Sequence, residues 1–115
     1  MFEDGRLGKT QAALIEQPEN TIFVSSISIF EIANKARIGK LPMTPASARA
    51  LNSVCEEFGF APLELTIEHG QRAGLLPGRH RDPFDRMLAA QSIVERMPIM
   101  TVDAKLRELG AEVVW

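Results

Sequence analysis

Three acidic residues each lie beside the predicted start of a helix. Glu31 and Asp103 follow short apolar runs that are predicted to be buried strands, and Asp85 lies in the first turn of a helix that follows a loop. Glu31 is likewise expected in the first turn of its helix. In an open α/β sheet, sites form where strands end and helices begin, so we expect these carboxylates to converge. Three carboxylates without a His or Cys cluster favour a hard divalent cation, Mg²⁺ or Mn²⁺.

Each acid, taken singly, also has a structural explanation. Ser28 and Glu31 have the spacing of a capping box, in which each side chain satisfies a backbone amide of the other residue. Asp82 precedes a proline and is a good N-cap, and Asp103 fits the same role. Capping and metal binding are compatible, because a carboxylate near a helix N-terminus stays ionised.

A group of basic residues adjoins the acids Asp82 and Asp85. Either these side chains contact RNA phosphates, or they form a solvated loop that balances the acids. The group consists of Arg79, His80, Arg81 and Arg86. His69, by contrast, is expected on the surface, early in its helix.

The pattern of apolar residues predicts helices alternating with short strands. Predicted strands cover residues 22–24, 63–65, 99–102 and 113–115, and predicted helices cover residues 9–17, 28–38, 45–58, 66–76, 82–96 and 103–109. Gly39 and Gly59 lie where glycines end helices. This alternation favours an α/β fold with a parallel sheet and helices on both faces, although no strand opens it.

Composition fits one soluble domain spanning residues 1–115. Apolar residues make up 45% of the 115 residues and charged residues 24%. The net charge of −2 excludes nucleic-acid binding through bulk positive charge, so such contacts must be local. With a single cysteine, Cys55, no intrachain disulfide can form. The sequence shows neither a membrane span nor a signal peptide, and we expect a cytoplasmic protein.

Several of these segments resemble the acidic blocks of PIN-domain toxins of the VapC type. The most specific match is residues 80–91, HRDPFDRMLAAQ; residues 24–35, VSSISIFEIANK, are similar to an earlier block. Residues 37–41, 101–103 and 113–115 also resemble the family. The resemblance covers nearly the whole chain, from about Leu7 onward.

The resemblance implies a metal-dependent endoribonuclease toxin with a PIN-like three-layer sandwich. It also implies a homodimer, a cognate antitoxin that blocks the site, and Mg²⁺ or Mn²⁺ as cofactor. Glu31, Asp85 and Asp103 would be catalytic metal ligands with Asp82 as a close neighbour at the metal, and Thr101 would be a polar residue beside the site, in contact with RNA.

The sequence departs from the family at its start. Members of the family begin with a central strand that ends in an aspartate and is followed by a short helix. Residues 2–5 here resemble the loop after that helix. Asp4 follows no strand and is not assigned the missing role. We therefore expect a sheet that lacks its first central strand, and weak or no activity from this exact chain.

Two other functions stay open. One is a catalytically dead binding module that keeps an antitoxin or dimer surface. The other is a receiver-like signalling domain, which also has acids at strand ends, but an acidic pair after an opening strand is absent here.

Overall fold

A computed structural model describes residues 9–78, 82–101 and 105–114. The described residues form an α/β fold, as expected. The helices are α1 (Lys9–Glu16), α2 (Ser26–Arg37), α3 (Pro45–Arg49), α4 (Leu51–Glu57), α5 (Ile67–Leu75), α6 (Pro83–Glu95) and α7 (Lys105–Glu108). The strands are β1 (Phe23–Ser25), β2 (Ala61–Leu63), β3 (Ile99–Met100) and β4 (Val113–Val114).

The strands are parallel, as the alternation predicted, but in the described residues they form two separate pairs. Phe23 lies opposite Ala61 in the pair β1–β2, and Ile99 lies opposite Val113 in the pair β3–β4. A cavity of about 250 Å³ is lined by residues of β1, β3 and β4, including Phe23 and Met100. Residues of both strand pairs thus border this cavity.

Helix ends follow the signals in the sequence in most places. Thr44, Thr66 and Asp82 are N-caps, each accepting a backbone amide in the first turn of its helix. Gly39 and Gly59 follow the ends of α2 and α4 with φ of 78° and 73°, a conformation that glycine adopts without steric cost. No helix in the described ranges is long and apolar enough to cross a membrane.

The single helix predicted over residues 45–58 is wrong. Ala50 ends α3 with φ of −92° and ψ of 1°, and its amide bonds to the carbonyl of Ser47 rather than continuing the α-helical pattern. No residue of α3 or α4 is fully buried. Neither glycine nor proline marks the break.

The core is built around α6. Five consecutive residues of this helix, from Leu88 to Ser92, are buried, and α6 contacts α2, α5 and α7. Leu88, Ile99 and Leu106 are completely buried in the same apolar cluster. The buried stretch of α6 includes the polar residues Gln91 and Ser92, so the core side of this helix is not a purely apolar stripe.

One polar side chain in this core joins three elements. Gln91 is fully buried, and its Oε1 accepts a hydrogen bond from the hydroxyl of Ser25 at the end of β1. Its Nε2 donates to the carbonyls of Leu63 and Glu64, 3.5 and 3.4 Å away, where β2 ends. The side chain of Gln91 therefore fixes α6 against the carboxyl ends of both strands.

His69 is buried rather than on the surface, so that expectation is wrong. The imidazole is 1% exposed, and its Nδ1 accepts the amide hydrogen of Thr66 at 3.0 Å. Nε2 lies 3.5 Å from a carboxylate oxygen of Glu95 on α6. Thr66 and His69 together form a capping box at the start of α5, and the packing of α5 on α6 buries the imidazole.

Replacing Gln91 should destabilise the protein. Gln91→Ala leaves the hydroxyl of Ser25 and the carbonyl of Leu63 without their partner in the interior. We expect a loss of about 2 kcal/mol in the free energy of unfolding, measured by urea denaturation. Gln71→Ala, at an exposed position of α5, is the control and should change it by less than about 0.5 kcal/mol. Equal effects of the two substitutions would refute the role given to Gln91.

Candidate functional site

Helix α2 begins earlier than the sequence predicted. Its N-cap is Ser25, whose hydroxyl accepts the amide hydrogen of Ile27 at 3.1 Å. The capping box of Ser28 and Glu31 is therefore wrong: Ser28 lies inside the helix, and its buried hydroxyl has no hydrogen-bond partner among the described residues. Counted from Ser26, Glu31 lies in the second turn rather than the first. Its carboxylate is thus not needed to cap α2.

Helix α6 begins as the sequence predicted. Oδ1 of Asp82 accepts the amide hydrogens of Phe84 and Asp85, at 2.9 and 3.3 Å. Pro83 occupies the first turn, where its missing amide hydrogen costs nothing. Asp85 follows in the same turn, where the positive end of the helix favours a carboxylate.

Glu31 and Asp85 line the same cavity. This cavity, which we call the acidic cavity, has a volume of about 380 Å³ and lies among α2, α6 and α7. Both carboxylate residues are half-buried, whereas Asp82 at the edge is exposed. The lining residues are Phe30, Glu31, Asn34, Lys35, Asp82, Phe84, Asp85 and Lys105.

The acidic cavity also contains cationic and amide groups that the sequence analysis missed. Asn34 and Lys35 lie three and four residues after Glu31, a spacing that places them on the same face of α2. Helical periodicity could have found these two residues. Lys105, the first residue of α7, gave no such signal, because only the packing of α7 against α6 brings it to the cavity.

The third predicted ligand, Asp103, lies outside the described residues. Within residues 9–78, 82–101 and 105–114, no three His, Cys, Asp or Glu side chains are grouped closely enough to hold a metal ion. The described part of the cavity therefore provides the carboxylates of Glu31 and Asp85, with Asp82 engaged in capping through Oδ1. Carboxylates are hard oxygen ligands, so this donor set fits Mg²⁺ or Mn²⁺ in kind.

The residues predicted to contact RNA have different positions. Arg79, His80 and Arg81 lie outside the described residues. The guanidinium of Arg86 donates to the carbonyls of Ala73 and Leu76, which ties α6 to the end of α5. Thr101 is only 1% exposed, so its side chain faces the interior in this structure, and a direct RNA contact would require it to become accessible.

The fold and the acidic cavity define an α/β domain whose carboxylates are presented by helices near the ends of parallel strands. The chain belongs to the PIN-domain family: the family model "PIN domain" matches residues 1–112. The family expected from the acidic segments is thereby confirmed.

A solved structure shows the same fold. The chain is similar to one in the crystal structure of VapBC2 from Rickettsia felis bound to a DNA fragment from their promoter, with a TM-score of 0.66 and 17% sequence identity. The match covers 92% of this chain and 80% of that chain. A comparison with curated proteins found no match.

The capping role of Asp82 can be tested separately from any chemistry. Asp82→Ala removes the acceptor for two amide hydrogens and should lower the free energy of unfolding by about 1 kcal/mol. Asp82→Asn keeps an acceptor oxygen and should lose less than half as much, as measured by urea denaturation. If Ala and Asn at this position are equally stable, the hydrogen bonds of the cap contribute nothing measurable.

Proposed function

We propose that this protein is a metal-dependent endoribonuclease toxin of the VapC type. The observation that carries the proposal is the acidic cavity, where Glu31 from α2 and Asp85 from α6 lie together with Lys35 and Lys105. Membership of the PIN-domain family and the fold shared with a VapBC2 chain support it. We also propose that the protein acts in the cytoplasm.

Glu31 and Asp85 would hold Mg²⁺ or Mn²⁺, with Asp103 as a third ligand and Asp82 beside them. Asp103 precedes Lys105 by two residues, and Lys105 lines the acidic cavity, which supports a place for Asp103 in the same site. Mg²⁺ needs few protein carboxylates because it keeps several waters. When bound, the ion supplies a nucleophilic water of lowered pKa and polarises the phosphoryl oxygen.

The protein's own residues bind and orient the RNA strand. The side chains of Lys35 and Lys105 carry positive charge at the cavity and offset the repulsion between the phosphate and the carboxylates. Arg79, His80 and Arg81 precede α6 directly in sequence and would extend this attraction along the strand. Phosphate contacts of this kind position the substrate without reading its sequence.

The test is an RNA-cleavage assay with purified protein. We expect weak cleavage with Mg²⁺ or Mn²⁺ that stops when EDTA is added. Glu31→Gln, Asp85→Asn and Asp103→Asn should each lower the rate by at least about tenfold, because each removes negative charge that holds the metal against the scissile phosphate. Glu19→Gln, at an exposed position before β1, is the matched control and should retain the wild-type rate. Cleavage that persists in Asp85→Asn would exclude the proposed site.

A second candidate is a binding module without catalytic activity. It is supported by the fold shared with a chain of a VapBC2 assembly, because a binding module would keep that fold. Such a protein would keep the surface for an antitoxin and bind it without cutting RNA. Wild-type protein that binds a co-expressed antitoxin but cleaves no RNA with either metal would establish this alternative.

The proposed partners are RNA, a cognate antitoxin and a second copy of this chain. The neighbouring structure is a VapBC2 assembly on promoter DNA, which supports an antitoxin partner. Among the described residues, the strands form two short pairs, and the edges of such pairs offer backbone groups to another chain.

Self-association is measurable. We expect the purified protein to have the mass of a dimer or a larger species by light scattering across a concentration series, because a closed homodimer covers exposed edges. A monomeric mass at the highest concentration would contradict this expectation.

A further inference from the structure

An aromatic pair lines the acidic cavity beside the carboxylates. Phe30 on α2 and Phe84 on α6 have ring centroids 5.1 Å apart, with 32° between the ring planes. Phe30 is adjacent in sequence to Glu31, and Phe84 is adjacent to Asp85. The two helices thus present a carboxylate and a phenyl ring side by side in the same cavity.

The two rings differ in burial. Phe84 is half-buried and packs against the apolar core, so its position is fixed by the fold. Phe30 is 49% exposed and touches solvent at the cavity. Phe84 therefore supports the ring of Phe30, whose exposed part is available to a ligand.

We infer that Phe30 stacks against a nucleobase of single-stranded RNA whose phosphate lies at the carboxylates. This inference rests on the proposed function and adds the recognition of an unpaired nucleotide. A base inside a duplex has both faces covered by its neighbours, whereas an unpaired base offers its face to an aromatic ring. Stacking on phenylalanine tolerates every base, so Phe30 would select unpaired RNA rather than a base sequence.

The surroundings of Phe30 favour a nucleotide over an apolar side chain. Asn34, Lys35 and the two carboxylates line the same cavity, and covering charged groups with an apolar partner costs free energy. A nucleotide combines an aromatic base with a charged phosphate. The base can stack on Phe30, and the phosphate can pair with Lys35 and Lys105.

The chain contains a matched control. Phe58 is 69% exposed and stacks on Phe60 with centroids 5.8 Å apart, but neither residue lines the acidic cavity. Phe30→Leu and Phe58→Leu therefore each remove the exposed ring of an aromatic pair, and only the pair of Phe30 adjoins the carboxylates. Phe30→Trp keeps an aromatic face at the proposed site.

The experiment is a fluorescence-anisotropy titration with Mg²⁺ of a short labelled single-stranded RNA, with the integrity of the probe checked on a gel. Phe30→Leu should weaken binding by about tenfold, which is the loss of one base stack. Phe58→Leu should change affinity by less than about twofold, and Phe30→Trp should bind at least as tightly as wild type. The same RNA in a duplex should bind wild type and Phe30→Leu equally.

Unchanged affinity for the single strand in Phe30→Leu, or no binding by wild type, would overturn the stacking role. If Phe30→Leu instead lost only the binding of a co-expressed antitoxin, the ring would belong to a protein interface. A stacking effect on RNA binding, with no cleavage by any variant, would refute the proposed nuclease function and leave this inference standing.

Discussion

Three elements of this fold meet at one buried amide. Gln91 on α6 accepts from Ser25 and donates to the carbonyls that end β2. Ser25 is at the same time the N-cap of α2, because its hydroxyl also accepts the amide hydrogen of Ile27, so one hydroxyl links Gln91 to the start of the helix carrying Glu31. The two-stranded sheet β1–β2 is too short to align α2 and α6 by itself. The relative position of Glu31 and Asp85 therefore depends on this buried polar network, which is costly to leave unsatisfied.

The acidic cavity follows from that alignment. Once α2 and α6 are held at the strand ends, Asn34 and Lys35, three and four positions after Glu31, line the same cavity as Asp85. The rings of Phe30 and Phe84 also make contact between α2 and α6. A phosphate-binding site with carboxylates needs compensating positive charge, and Lys35 and Lys105 supply it from two different helices.

Buried polar groups also distinguish structural residues from candidate functional ones. His69 and Arg86 have the residue types of an active site, yet their described hydrogen bonds satisfy the ends of α5. Glu31 and Asp85 are half-buried in a cavity and are not required as caps of their own helices. The first two side chains hold α5 in place, whereas the second two line the cavity proposed as the metal site.

The sequence alone determined the α/β class, most helix ends and the family, because capping residues, prolines and glycines act locally and the acidic segments are specific. It also identified Asp82 as a cap, since that bond spans only two and three residues. Only the tertiary structure decided that Ser25 starts α2, that His69 is buried, and that the strands form two pairs. It likewise brought Lys105 to Glu31 and Asp85. These features depend on contacts between residues distant in sequence, whose energies no local pattern encodes.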